Sequence, residues 1–347
     1  MRTKELKNDV KNNKEKLSGI IFARSCCTIG IIIFHYFCHS NGNFKFLFST
    51  ANSGFGFMFT TSFFCISGTV LYYNYPKITS IKRFYYKRWK SIFPSYYICF
   101  LFFFLNTSFS VHKLFYNGHW TKIFWTISGL DGYLSYRIKS YFIVGEWFLG
   151  AIILLYILYP LLLYMMNKNI LLIHLFIISG FILMAKTNYF IIIGDKNLIT
   201  CINSFYFGMM TIKNKKFFYE NRTSTIISMF VFLFLYFIKI SHFPLVKQIE
   251  GFCLFILLIQ SGRYIMYNYR IKMIENINNI SYNIFLFHHR IIYNVLGLNN
   301  PTEWYLHLIL LGTIIILTYI CSTIHFMVVN SIIKSNIFKK LDSYFLK

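Results

Sequence analysis

Arg24 and His35 stand eleven positions apart in the stretch SGIIFARSCCTIGIIIFHYFCHS, whose remaining residues are mostly apolar. Ionisable side chains inside such a stretch are expensive in a membrane, so each marks a functional hypothesis. In a helix, eleven steps of 100° leave the two side chains only about 20° apart, and the rise separates them by about 16–17 Å. One face then presents a fixed cation at one depth and an imidazole that titrates near neutral pH at another. Such a pair suits chemistry in which an anion is held and a hydroxyl proton is removed. Each residue also has a simpler reading. Arg24 can snorkel to headgroups, and His35 can donate to a backbone carbonyl. Further along, Glu146 and Trp147 open an apolar stretch, and Ser281, Tyr282, His288 and His289 lie within another. The run KRFYYKRWK carries Arg83, Lys87, Arg88 and Lys90.

The elements that must position these residues follow from composition. Of 347 residues, 56% are hydrophobic and 13% charged, the latter about half the usual share of a soluble chain. This excludes a disordered chain and an ordinary water-soluble enzyme. The sequence predicts an all-α, polytopic integral membrane protein with about ten transmembrane helices, at 17–38, 54–74, 91–106, 143–166, 170–186, 197–213, 223–240, 247–266, 277–298 and 304–330. The segment 107–142 is read as a loop, an interfacial helix or a re-entrant segment. A polar N-terminal tail (1–16) and a basic C-terminal tail (331–347) flank the membrane domain (17–330). The first tail is mixed in charge and does not read as a cleavable signal.

The net charge of +24 from 35 basic residues fits this layout better than nucleic-acid binding. With both termini in the cytoplasm, twenty-four basic residues fall inside and nine outside, the bias that cytoplasmic loops carry. Lys45, Lys113, Lys122, Arg137, Lys139, Lys186, Lys196, Lys239 and Lys247 are the nine. The eight cysteines have no CxxC spacing and read as small buried hydrophobes. No metal site is expected: no pair of spans offers facing histidines, and His289 is expected off the face of His288. Of eleven carboxylates, only Glu146 is expected at a span boundary. A transporter or flippase of lipid-linked glycans is the main alternative. It is disfavoured because no repeated halves are visible. A multispan glycosyltransferase is disfavoured by the lack of Asp or Glu in 39–53.

Five segments, in order, resemble the membrane-bound acyltransferase 3 family, which O-acylates cell-surface glycans. They are the Arg24-x10-His35 pair; Phe63, Phe64, Ser67 and Gly68; Arg88 and Pro94; Trp147, Tyr156 and Pro160; and Ser281, Tyr282, Ile284, Phe285, Leu286 and His288. Where that family often has Arg-x-x-Arg before the proline, this chain has Arg88 and Ser91, with Lys90 adjacent. The resemblance implies a multi-pass cell-membrane O-acyltransferase, most simply an O-acetyltransferase, acting on a surface or lipid-linked polysaccharide. It implies acetyl-CoA or another acyl-CoA as donor substrate and no permanently bound cofactor. His35 is then the base or acyl relay and Arg24 the donor contact. Arg83, Lys87, Arg88 and Lys90 face the coenzyme phosphates. Glu146, Trp147, His288, Tyr282 and Ser67 support the acceptor or the machinery.

Overall fold

The structure is a computed structural model that describes residues 2–40, 54–116, 118–138, 141, 144–186, 192, 194–238, 244–269, 271–298, 301 and 303–346. Lys45, Lys139 and Lys239, read above as outer residues, lie outside the described residues. Among the described residues there are helices and no strands. Each of the ten apolar stretches holds a helix among the described residues. They form α1 (Arg2–His39), α2 (Gly54–Asn74), α3 (Ile81–Ser110), α6 (Glu146–Lys168), α7 (Ile170–Lys186), α8 (Leu198–Lys213), α9 (Arg222–Ile238), α10 (Pro244–Asn268), α11 (Lys272–Leu298) and α12 (Trp304–Ile333). Short α4 (Ile123–Ile127) and α5 (Asp131–Leu134) fill the segment after α3, and α13 (Asn336–Phe345) ends the chain. Among the described residues, five stretches are long and apolar enough to cross a bilayer: Ser18–His39, Ile81–Ser110, Glu146–Lys168, Leu245–Met266 and Trp304–Ile333. Ile170–Lys186 and Arg222–Phe237 are apolar but shorter.

One boundary differs from expectation in a way that matters. The basic run lies between the spans expected at 54–74 and 91–106, so it was expected outside them, as a connection. Instead it forms the first turns of α3, because Ser80 caps the helix. Its side chain accepts from the Arg83 backbone N–H at 3.3 Å. Arg and Lys are good helix formers, so nothing in KRFYYKRWK stops the helix earlier.

The chain divides into two compact units. The first comprises residues 1–76, 176–281 and 300–307. Its core is Ile20, Ala23, Cys27, Cys65, Ile66, Tyr219, Phe255, Ile256 and Ile259. There α2 and α8 touch backbone to backbone. A Cβ on Gly68 would lie 1.9 Å from the Phe205 carbonyl oxygen, and one on Gly208 would lie 2.0 Å from the Cys65 carbonyl oxygen. Thr69 Oγ1 ties the seam by donating to the Gly208 carbonyl at 2.8 Å. Small residues that allow such approach, with hydroxyls bonding across helices, are a membrane packing device. The same unit buries a polar knot: Gln248 Nε2 donates to the Thr200 carbonyl and Ser204 Oγ, both at 2.5 Å, and Asn203 Nδ2 donates to Gln248 Oε1 at 2.8 Å. Glu250 lies nearby in sequence on α10, inside a span and only 3% exposed. This corrects the expectation that Glu146 alone among the carboxylates enters a span.

The second unit comprises residues 77–175, 282–299 and 308–347. Tyr96 OH donates to the Thr126 carbonyl at 2.9 Å, joining α3 to α4. Thr126 Oγ1 donates to Asp131 Oδ2 at 2.8 Å, and the Gly132 N–H to Oδ1 at 2.9 Å, so the buried Asp131 is a structural bracket. Ser95 Oγ donates to Asn283 Oδ1 at 2.6 Å and meets His325 Nε2 at 3.0 Å, joining α3, α11 and α12.

The C-terminal helix is fastened to α3. Lys90 Nζ donates to both Asp342 oxygens at 2.7 Å, and Tyr86 OH donates to Oδ1 at 2.8 Å. Phe345 stacks on Tyr86 at 4.6 Å, and Lys82 sits 3.9 Å from the Tyr344 ring centroid. The Lys90 and Tyr86 hydrogen bonds hold the Asp342 carboxyl below the usual carboxylate range. The contribution is therefore complete above the ordinary Asp value, about 3.9, and is lost as pH falls through the depressed one. For a partly exposed pair it is worth at most about 1 kcal/mol. Limited proteolysis should cut α13 more readily in Asp342→Asn at neutral pH, and in the unmodified chain only below about pH 4.

Candidate functional site

In the first unit, α1 runs unbroken through Arg24 and His35, so the helical register that places them on one face holds. Arg24 is half-buried, and its Nη1 makes a long hydrogen bond of 3.5 Å to Asn278 Oδ1 on α11. Beside it, Ser25 Oγ donates to the Ile274 carbonyl at 2.8 Å, fixing α1 against the start of α11. The guanidinium thus points at protein. One helical turn beyond His35 comes His39. The two rings are nearly parallel, 6.3 Å apart, with Phe34 edge-on to His35 at 5.1 Å. Tyr36, on another face of α1, is fully buried, with its OH 2.8 Å from His307 Nδ1. Ser67 is half-buried on α2, one residue before the glycine contact.

In the second unit, the four basic residues assigned to donor phosphates separate by helical geometry. Arg83, Lys87 and Lys90 recur at i, i+4 and i+7, one face of α3. Arg88 lies off that face, its guanidinium 5.8 Å from the Tyr156 ring centroid. Lys90 is held by Asp342 as described. Tyr282 OH donates to the Ile92 carbonyl at 3.3 Å, an interhelical bond between α11 and α3. Trp147 is half-buried and edge-on to Phe148, 6.3 Å between ring centroids.

The tightest constellation in this unit joins Glu146 to two histidines. Gly145 has φ 93° and Glu146 φ 34°, so the chain enters α6 through two successive left-handed residues. Glycine takes that conformation at no cost, whereas Glu146 is strained by about 1–3 kcal/mol. This entry aims the carboxylate at α11. His288 Nε2 lies 3.6 Å from Glu146 Oε1, and His289 Nε2 makes direct contact with the same oxygen. One ligand atom from each of the three lies within 4.8 Å of the others. His288 Nδ1 is 2.7 Å from the Phe285 carbonyl and 3.2 Å from the Ile284 carbonyl. A carbonyl only accepts, so Nδ1 carries a proton and Nε2 is the ring nitrogen that faces Glu146.

His289 was expected off the face of His288. The helix does separate the two Cβ atoms by about 100°. The rings nevertheless converge, with centroids 4.5 Å apart, because the carboxylate reaches in from another helix. The sequence signal was the His-His pair itself, which helical register argued against. Carboxylate and imidazoles together can pass a proton or hold a cation.

The family profile described as an acyltransferase domain matches residues 17–327. Comparison with curated proteins gave no match, nor did comparison with solved structures.

Proposed function

Because the chain belongs to the acyltransferase 3 family, and so is a membrane acyltransferase, we propose that it O-acylates a sugar hydroxyl of a cell-surface or lipid-linked polysaccharide, with acetyl-CoA or a related acyl-CoA as donor. The observation that carries the reading is α1, one helix with Arg24 and His35 on a shared face about 16–17 Å apart. That spacing allows the donor to be held by its phosphate or amide groups at one depth while the thioester is presented at another. His35 takes the hydroxyl proton. The hydroxyl oxygen bonds to the thioester carbonyl carbon, the C–S bond breaks, and the coenzyme leaves as a thiol once protonated. A neutral imidazole suits this because its ordinary pKa lies near the working pH.

In this reading α1–α3 and α6–α12 all cross the cell membrane, with both ends cytoplasmic. The first turns of α3 then lie at the cytoplasmic surface, where Arg88, with Lys87 and Arg83, binds the nucleotide phosphates. Lys90 is the member of the four already engaged, by Asp342. Arg88→Ala is therefore expected to raise the KM for acyl-CoA about tenfold, the scale of a lost charge-assisted hydrogen bond, with little change in kcat. Lys90→Ala should leave KM nearly unchanged and loosen α13 instead. Trp147 offers an aromatic face to a pyranose ring, and Glu146, His288, Tyr282 and Ser67 support the acceptor side.

The direct test expresses the chain in a host whose surface polysaccharide lacks acyl groups and weighs the glycan. A gain of one acetyl group per modified sugar is expected. An unchanged glycan alongside correctly inserted protein in several acceptor backgrounds counts against the reading.

A further inference from the structure

We propose that Glu146, His288 and His289 form a binding site for a divalent first-row transition ion, zinc foremost. All three belong to the second structural unit.

The first argument is geometric. Zinc bonds of about 2.0–2.2 Å to nitrogen and oxygen place tetrahedral ligand atoms roughly 3.3–3.6 Å apart. The 3.6 Å between His288 Nε2 and Glu146 Oε1 fits that edge, and all three ligand atoms lie within 4.8 Å. Glu146 and His289, now in contact, separate by side-chain rotation to admit the ion.

The second is electrostatic. With Nδ1 turned to backbone carbonyls, Nε2 is the His288 nitrogen that faces the carboxylate oxygen. A carboxylate oxygen with two imidazole nitrogens turned to it gathers negative potential at one point, which attracts a cation. Anchoring the other ring nitrogen on a backbone carbonyl, here that of Phe285 at 2.7 Å, is also how metal-binding histidines are oriented.

The third is the strained backbone. Glu146 holds φ 34°, a conformation that is costly for a residue with a side chain, and strain of this kind clusters at ligand sites.

The donor set selects the ion. Calcium and magnesium favour oxygen cages, and copper(I) favours sulfur. Two imidazoles and one carboxylate match three-ligand zinc sites that keep a fourth position open for water or substrate. Access is graded in the same sense: the His288 side chain is 1% exposed, whereas His289 and Glu146 retain 20% and 21%.

The inference does not depend on the acyl-transfer reading, since ion binding is measured without donor or acceptor. The full chain, free of any polyhistidine tag, is purified in detergent, stripped with chelator, reloaded with zinc and weighed for metal. One zinc per chain is expected. At limiting zinc, Glu146→Ala and His289→Ala should each lower occupancy at least tenfold. His174→Ala, an exposed histidine on α7, should not. Cobalt loaded into the unmodified chain gives a second readout that needs no variant, the intense visible bands of tetrahedral coordination. Absence of both zinc and those bands in folded protein overturns the proposal and leaves a Glu146–His289 proton bridge. Undiminished zinc in folded variants overturns it equally.

Discussion

His35→Ala should insert normally and lose acyl transfer by about 10²–10⁴-fold, the range for removing a general acid–base group. The ring is half-buried, between an edge contact with Phe34 and a parallel one with His39, so its loss leaves α1 well anchored. That anchoring comes from Ala23, Cys27, Ile32 and Tyr36, which are sealed in the first unit. His35→Gln keeps polarity and approximate size without a titrating nitrogen, and should be nearly as inactive. The loss should fall on kcat rather than KM, because the group acts as the bond forms. His39→Ala, one turn away, is the control and should retain most activity. The measurement is the initial rate of acyl transfer in membranes with matched protein content. A drop of less than tenfold in His35→Ala removes His35 as the base.

The second large effect concerns assembly. Gly68→Leu is expected to abolish the folded monodisperse protein, and Gly68→Ala to lower its melting temperature markedly. Overpacking a tight core ordinarily costs about 1–3 kcal/mol, when side chains can yield. Here the obstacle is the Phe205 carbonyl, 1.9 Å from the added carbon, and a backbone cannot turn aside without moving α8. Gly208→Ala meets the Cys65 carbonyl at 2.0 Å and should behave alike. Gly312→Ala is the contrast: nothing lies within 4 Å, the residue is inside α12, and alanine should stabilise by about 0.5–1 kcal/mol. Thermal unfolding in detergent, followed by size-exclusion profile, separates these cases. Equal behaviour of Gly68→Ala and Gly312→Ala would sink the packing account.

The helices were legible because long apolar runs are a one-dimensional signal, and each of the ten runs holds a helix among the described residues. The basic run was misread as a loop, since charge at a membrane edge looks the same whether the backbone coils or continues as helix. Ser80 was the clue, a capping residue three positions before Arg83. Glu250 and Asp131 show a second limit. A carboxylate is assigned to water by default, and only its tertiary partners reveal otherwise, as Thr126 does for Asp131. The histidine pair shows a third. Helical periodicity says which Cβ atoms share a face, but long side chains answering to one carboxylate from another helix override it. The Arg24–His35 register needed no tertiary information, which is why it survives intact.

On α12, Leu308, Ile309, Ile316, Ile320, Ile324 and Met327 all turn away from the protein, whereas His307, Ile314, Thr318, Ser322 and His325 turn inward and are buried. Among the described residues nothing covers this outward flank, so in a bilayer it is expected to answer to the solubility of hydrocarbon in hydrocarbon. Exchange among Leu, Ile, Val, Met and Phe there should pass unnoticed by stability or turnover, and a single arginine midway should not. Mutational tolerance along this one helix therefore becomes a ruler for the bilayer, reading out where oil gives way to water.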